Sequence, residues 1–223
     1  DQSLPARISE FVASNSGSLL DGDGNASDWI EIHNPNLSNL DISGYHLTDD
    51  PLEPDKWPFP PGTVLAGGEY LVVFASDRQA ANYIDPEGNL HTSFSLNSDG
   101  EYLALVATDG MTVIQDFFPQ FPPIPEDVSY GTGGFFTEPT PRAVNSPAGV
   151  AGFVEDTSFN IDRGFFSAPF DLVISTATDE AEIYYTTDGS APSPSSGTLY
   201  TAPLKVTSTT VVRAAAYKDD FAP

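Results

Sequence analysis

Apolar residues in this chain fall in short runs, each closed by Gly, Pro, Asn or Asp. Residues 8–13 form the first run. Trp29-Ile30-Glu31-Ile32 follows and stops at Asn34-Pro35-Asn36. Leu40-Asp41-Ile42 passes through Gly44 into Tyr45-His46-Leu47, and residues 70–74 form a continuous run after Gly67-Gly68. Residues 102–106 and Val113-Ile114 come directly after Asp99-Gly100 and Asp109-Gly110, steps that suit tight turns between antiparallel strands. No segment keeps a period near 3.6, so the pattern predicts strands almost throughout. Residues 77–83 are the one stretch that could turn once or twice as a helix.

Proline punctuates this pattern twice. Residues 119–125 are Pro-rich and predict a loop, since Pro lacks the N–H that a central strand needs. Val128-Ser129-Tyr130 then reads as a last edge strand. Residues 138–152 form the second break, which places the first domain at 1–147, a linker at 148–157 and a second domain at 158–223. Strand-length runs continue there at 159–161, 172–174, 182–185, 204–206 and 211–214. So many short strands at this spacing predict an all-β sandwich or barrel in each part. A module of this second size buries only roughly 60–65% of its unfolded surface and should be marginal alone.

The charge is strongly acidic, −24 from 32 Asp and Glu against 8 Lys and Arg. Residues 1–147 carry −18 of it and residues 148–223 carry −6. Phosphate backbones are held by clustered Lys and Arg, which this chain lacks, so nucleic acid is not an expected partner. The chain has no Cys, which removes disulfides, thiolate metal sites and cysteine nucleophiles. No apolar run approaches the ~20 residues that cross a bilayer, so no membrane insertion is expected. Asp1 is not an initiator Met, and a leader would have been removed.

One segment has the composition of a cation loop, Asp21-Gly22-Asp23-Gly24-Asn25-Ala26-Ser27-Asp28. Alternating oxygen side chains on flexible Gly suit Ca²⁺, with Asp21, Asp23 and Asp28 as ligands and Asn25 or carbonyls completing the shell. It is not an EF-hand, because Ala26 stands where Gly is needed and Ile32 where Glu is needed. The other reading of the same residues is an acidic loop held by Asx-type hydrogen bonds. Asp49, Asp50, Glu53 and Asp55 form a second acidic patch before Trp57, whose ring is expected in the core. His33, His46 and His91 lack metal-ligand spacing. No Gly-x-Ser-x-Gly elbow or phosphate-cradling loop occurs, so no catalytic residue and no cofactor other than structural Ca²⁺ is expected.

Several strings occur together in the first part: Ile8-Ser9-Glu10, Asp28-Trp29-Ile30-Glu31-Ile32-His33-Asn34, Leu65-Ala66-Gly67-Gly68-Glu69-Tyr70, and Pro139-Thr140-Pro141 with Asn145. Residues 4–146 thereby resemble the lamin-tail domain found in bacterial secreted proteins. Residues 158–223 carry Ile183-Tyr184-Tyr185-Thr186-Thr187-Asp188-Gly189-Ser190-Ala191-Pro192 and resemble the chitobiase and β-hexosaminidase C-terminal module. These resemblances imply two tandem immunoglobulin-like β-sandwiches. The second family usually continues into one more strand, so the second sandwich is expected to lack its last one. The expectation for function is a non-enzymatic spacer, adhesion or binding segment of a larger secreted or cell-surface bacterial protein. Its partners are then other domains of that protein, with carbohydrate or a surface protein as ligand. The alternative is an accessory portion of a polysaccharide-active enzyme whose catalytic domain lies elsewhere.

Overall fold

The computed structural model describes residues 4–80, 82–146 and 148–223 and divides into two compact units at Gly149/Val150. All regular structure in the described residues is strand. The first unit contains β1 (Arg7–Val12), β2 (Asp28–His33), β3 (Leu40–Asp41), β4 (His46–Thr48), β5 (Trp57–Pro58) and β6 (Val64–Leu65). It continues with β7 (Tyr70–Ala75), β8 (Leu90–His91), β9 (Ala104–Val106), β10 (Val113–Asp116), β11 (Ser129–Gly131) and β12 (Gly134–Phe136). One sheet runs in the order β12-β11-β1-β2-β7-β8, and the other runs β10-β9-β4-β5. Pro58 sits in β5, an edge strand, where its missing N–H breaks no ladder.

The central strand β2 explains much of the packing. From Trp29 to His33 every residue is buried, on both faces of the strand. Period-two alternation sends Ile30 and Ile32 to one face and Trp29, Glu31 and His33 to the other. The register aligns Phe11, Ile30 and Val73 across β1, β2 and β7, and it aligns Val12, Trp29 and Phe74 in the next row. Phe11 is met edge-on by Phe117, Phe121 and Tyr130, with centroids 5.0, 4.9 and 5.9 Å away. Trp29 packs with Val12, Val72, Phe74 and the loop residue Leu19. Loops therefore cover the face that the partner sheet does not.

Two expectations are corrected. The described residues of 77–83, which leave out Ala81, do not turn as a helix. Asp77 N and Arg78 N donate to Phe94 O and Thr92 O, and Asp77 and Asn82 hold positive φ, which a helix forbids. Ser129 and Tyr130 are not at an edge, because β11 lies between β1 and β12. The Pro-rich stretch before them is a loop, yet Phe121 and Ile124 are buried in it, with their N–H groups on Glu101 O and Ser98 O.

The second unit comprises β13 (Gly152–Phe153), β14 (Ser158–Phe159), β15 (Phe170–Leu172), β16 (Ile174–Ser175) and β17 (Glu182–Thr186). The remaining strands are β18 (Thr198–Leu199), β19 (Leu204–Val206), β20 (Arg213–Tyr217) and β21 (Phe221–Ala222). β17 is flanked by β18 and β20, and β14-β16 and β15-β19 are pairs. β13 lies in the segment expected as linker, but it pairs in parallel with β21 and so belongs to this unit. Leu172, Ile174, Pro192 and Ala216 are its buried apolar side chains among the described residues, a thin core. Asp188 Oδ1 accepts from Ser190 N at 3.0 Å and Gly189 holds φ +83°, the turn that Asp-Gly-Ser predicts.

Phe11→Ala should lower the unfolding free energy of the first unit by about 3–5 kcal/mol, because it opens a cavity among three aromatic rings. Leu52→Ala, at an exposed loop position, should change it by no more than about 0.5 kcal/mol. Urea titration followed by tryptophan fluorescence reads the first unit alone, since both Trp lie there. Equal midpoints for the two variants would contradict the assignment of Phe11 to the core.

Candidate functional site

The acidic loop after β1 is built around one buried carboxylate. Asp21 Oδ1 accepts from Asp23 N at 3.0 Å and from Asn25 N at 2.8 Å, and Oδ2 accepts from Ser27 Oγ at 2.9 Å. Gly24 closes the turn at φ +83°, with its N–H on Asp21 O. Burial pushes the Asp21 carboxyl up, but bonds from Asn25, Ser27 and Asp23 outweigh it and hold the group below its usual range.

A second loop repeats this design. Asp85-Pro86-Glu87-Gly88-Asn89 has Asp, Gly and Asn at the same spacing as Asp21-Gly22-Asp23-Gly24-Asn25. Asp85 Oδ1 accepts from Glu87 N and Asn89 N, both at 2.9 Å, and Gly88 holds φ +91°. Asp85 also joins the two loops, because its Oδ2 accepts from Gly22 N at 2.6 Å. A Cβ on Gly22 would lie 2.6 Å from that carboxyl, so the contact requires glycine there. His91 Nε2 lies 3.3 Å from the same oxygen, and its Nδ1 lies 2.7 Å from Ser76 Oγ. Burial raises the Asp85 carboxyl, and bonds from Asn89, Gly22 and His91 more than reverse it, leaving it far below the usual range.

The four residues expected at a calcium site thus face different partners. Asp21 and Asn25 bind each other within the turn. Asp23 Oδ2 accepts from Arg78 Nη2 at 2.9 Å and from Tyr83 Oη at 2.7 Å. Asp28 Oδ1 accepts from Asn15 N at 3.1 Å. Burial lifts Asp28 to about 6 despite N–H bonds from Asn15 and Leu96. Among the described residues no group of three or more His, Asp or Glu side chains is arranged to hold a metal ion.

The most deeply buried acids lie elsewhere. Glu10 and Glu31 are opposite each other on β1 and β2, and both are fully buried. A β-bulge between Ile8 and Glu10 sets Ser9 beside them, where Ser9 Oγ donates to Glu31 Oε1 at 2.7 Å. Glu10 accepts from Ser129 Oγ, from Thr140 N at 2.9 Å and from Thr140 Oγ1 at 2.9 Å. Glu31 Oε2 accepts from Arg142 N, and Asn145 Nδ2 donates to Ser9 O at 3.2 Å. The chain after β12 therefore returns to clasp the outer face of the sheet. Burial is the main force on Glu31. Bonds from Ser9 and Arg142 oppose it, the Glu10 charge adds to it, and the carboxyl ends at about 7.

The remaining candidates are spent on structure. Trp57 is buried and meets Phe59 edge-on at 4.9 Å. Asp49 pairs with Lys56 at 2.6 Å. His33 stacks on Tyr70 at 4.2 Å, and His46 Nδ1 lies 3.2 Å from Ala107 O. The second unit differs, with an open cleft of about 640 Å³ lined in part by Phe159, Phe165, Phe166 and Phe170. Phe165 is fully exposed and Phe166 half exposed.

Asp21→Ala should lower unit stability by about 1–3 kcal/mol, because it strands buried N–H and O–H donors. The loss should be equal in millimolar Ca²⁺ and in chelator. Its pH dependence follows from the depressed carboxyl: the contribution is present above pH 3.8 and is lost as pH falls through the folded value. A wild-type melting temperature that rises with Ca²⁺, and a rise that Asp21→Ala abolishes, would assign the loop to a bound ion instead.

Comparison with known families agrees with this layout. The Lamin Tail Domain model matches residues 6–117, and the Chitobiase/beta-hexosaminidase C-terminal domain model matches residues 161–222. Both are non-catalytic immunoglobulin-like modules. No curated protein matches the chain. No helix among the described residues is long and apolar enough to cross a membrane. The first match covers half of the 223 residues, β1 and β2 with Glu10 and Glu31 included, so the chain belongs to the lamin tail domain family.

Proposed function

We propose that the chain is a non-catalytic spacing and binding segment of a larger secreted or cell-surface protein, with carbohydrate as the ligand class. The observation that supports this reading is the aromatic cleft of the second unit. A contiguous exposed apolar patch marks an interaction surface or a ligand groove, whereas single scattered apolar residues do not. Phe166 leans on Phe170 with centroids 4.5 Å apart. Asp162, Arg163, Ser167 and Thr207 line the same cleft. Aromatic faces beside hydroxyl and charged groups suit a sugar, whose ring presents C–H faces and polar edges. In the first unit, by contrast, the acids with the strongest shifts serve as acceptors for backbone N–H groups.

A second reading, as an accessory module of a polysaccharide-active enzyme, draws on the description of the second family. Chitobiase and β-hexosaminidase are named there, and a module carried beside such a catalytic domain would share its substrate class. The domains adjoining this chain in the full-length gene separate the two readings.

Retention on insoluble chitin and cellulose, together with a soluble glycan array, tests the ligand class. At least one glycan should retain the 223-residue chain, and the double variant Phe165→Ala/Phe166→Ala should lower retention at least tenfold. Failure of every glycan, or equal retention of the double variant, would contradict a carbohydrate ligand at this cleft.

A further inference from the structure

Residues 139–145 differ from an ordinary domain tail in what holds them. Their hydrogen bonds to the sheet run to Glu10, Glu31 and the Ser9 carbonyl, all within the β1–β2 bulge. Arg142 reaches this position with φ +65°, outside the range most residues favour. Its guanidinium is bonded to another loop, where Nη2 donates to Asn89 Oδ1 at 3.0 Å. Two buried acids thus face each other, and neither forms an ion pair among the described residues.

We propose that residues 139–145 form a pH-sensitive latch, closed while Glu31 is protonated beside the buried Glu10 and loosened when Glu31 ionises. Two adjacent buried negative charges are costly in a low-dielectric setting, and a proton on Glu31 removes much of that cost. Opening the latch admits water to the pair and achieves the same relief. The other ionisable groups around Glu31 leave this balance in place. Tyr70 on β7 feels the Glu31 charge and is raised, so it stays neutral. His33 on β2 is lowered, by burial first and then by Arg7, so it too stays neutral near pH 7. Arg7 is engaged with His33 through Nε at 3.3 Å. Arg142, on the latch itself, attracts Glu31 but leaves its carboxyl near 7.

The direction follows by linkage. Glu31 in the closed state titrates at about 7, above the 4.5 expected once water reaches it. For an acid whose closed-state value is raised, closure is favoured fully below pH 4.5 and weakens as pH rises towards 7. Between pH 5.5 and 8.0 the closed-to-open ratio should fall roughly thirtyfold. The same residues lead from the first unit towards the second, so each freed residue adds up to about 3.5 Å of reach. That last consequence rests on the spacer reading above, whereas the latch does not.

Hydrogen exchange of the Thr140 and Arg142 amides in the full chain tests the latch directly, with amides of β7 as internal reference. After correction for intrinsic exchange, protection of the latch amides should fall at least tenfold between pH 5.5 and 8.0 while β7 stays constant. Glu31→Gln should flatten the dependence, and Glu10→Gln should shift it to lower pH. Constant wild-type protection across this range would overturn the proposal even if neither variant folds. So would a parallel loss in β7, because the tail would then open only by unfolding of the unit. Neither result bears on sugar binding at Phe165, so the two proposals fail separately.

Discussion

A sheet buried on both faces has to satisfy every polar group it carries, and this constraint governs the first unit. β2 brings Glu31 into the interior between Ile30 and Ile32, and β1 brings Glu10 opposite it. A carboxyl removed from water without partners costs several kcal/mol, so donors have to come from somewhere. Ser9 and Ser129 supply two from within the sheet, and Thr140 and Arg142 supply the rest. The return of the chain after β12 is therefore a requirement of β2 and not an ornament of the terminus. Extra donors also tie the clasp onward, from Arg142 to Asn89 and from Asn89 to Asp85.

The same economy appears in the loops. Asp21 and Asp85 each gather the N–H groups of a five-residue turn, and Asp85 reaches Gly22 in the neighbouring loop. An acidic chain can thus be read partly as a set of internal acceptors and not solely as a charged surface. Depressed carboxyls such as Asp85 and elevated ones such as Glu31 arise from one balance, hydrogen bonding to the charged form against loss of water. The second unit uses a different solution. Its strands bury few side chains, its Asp-Gly-Ser turn is local, and its large aromatics stay at the surface.

Much of the fold was legible in the sequence because strand runs and Asp-Gly turns are local signals. Trp29-Ile30-Glu31-Ile32 and residues 70–74 mark the two central strands, and both lie where the pattern puts them. The family resemblance located both modules, and its strings include Glu10, Glu31, Thr140 and Asn145. What the strings do not reveal is why those residues occur together, since their contacts span more than a hundred positions. The helical turn predicted for 77–83 failed because pairing with residues 92–94, a tertiary contact, set the backbone. The acids at 21–28 have the composition of an ion loop, and the same stretch shares Asp, Gly and Asn at one spacing with 85–89. Short turn motifs of that kind are visible in sequence but identify an acceptor only once the N–H groups are placed.

Burial, with the Glu10 charge adding to it, keeps the Glu31 carboxyl neutral over part of the physiological range. A ¹³C-detected titration of the glutamate side-chain carboxyls, with Glu31 assigned by its absence in Glu31→Gln, tests it most directly. The account predicts a Glu31 midpoint near 7. A Glu31 midpoint at the ordinary value of 4.5 would contradict both the burial of the pair and the closure of the sheet's outer face.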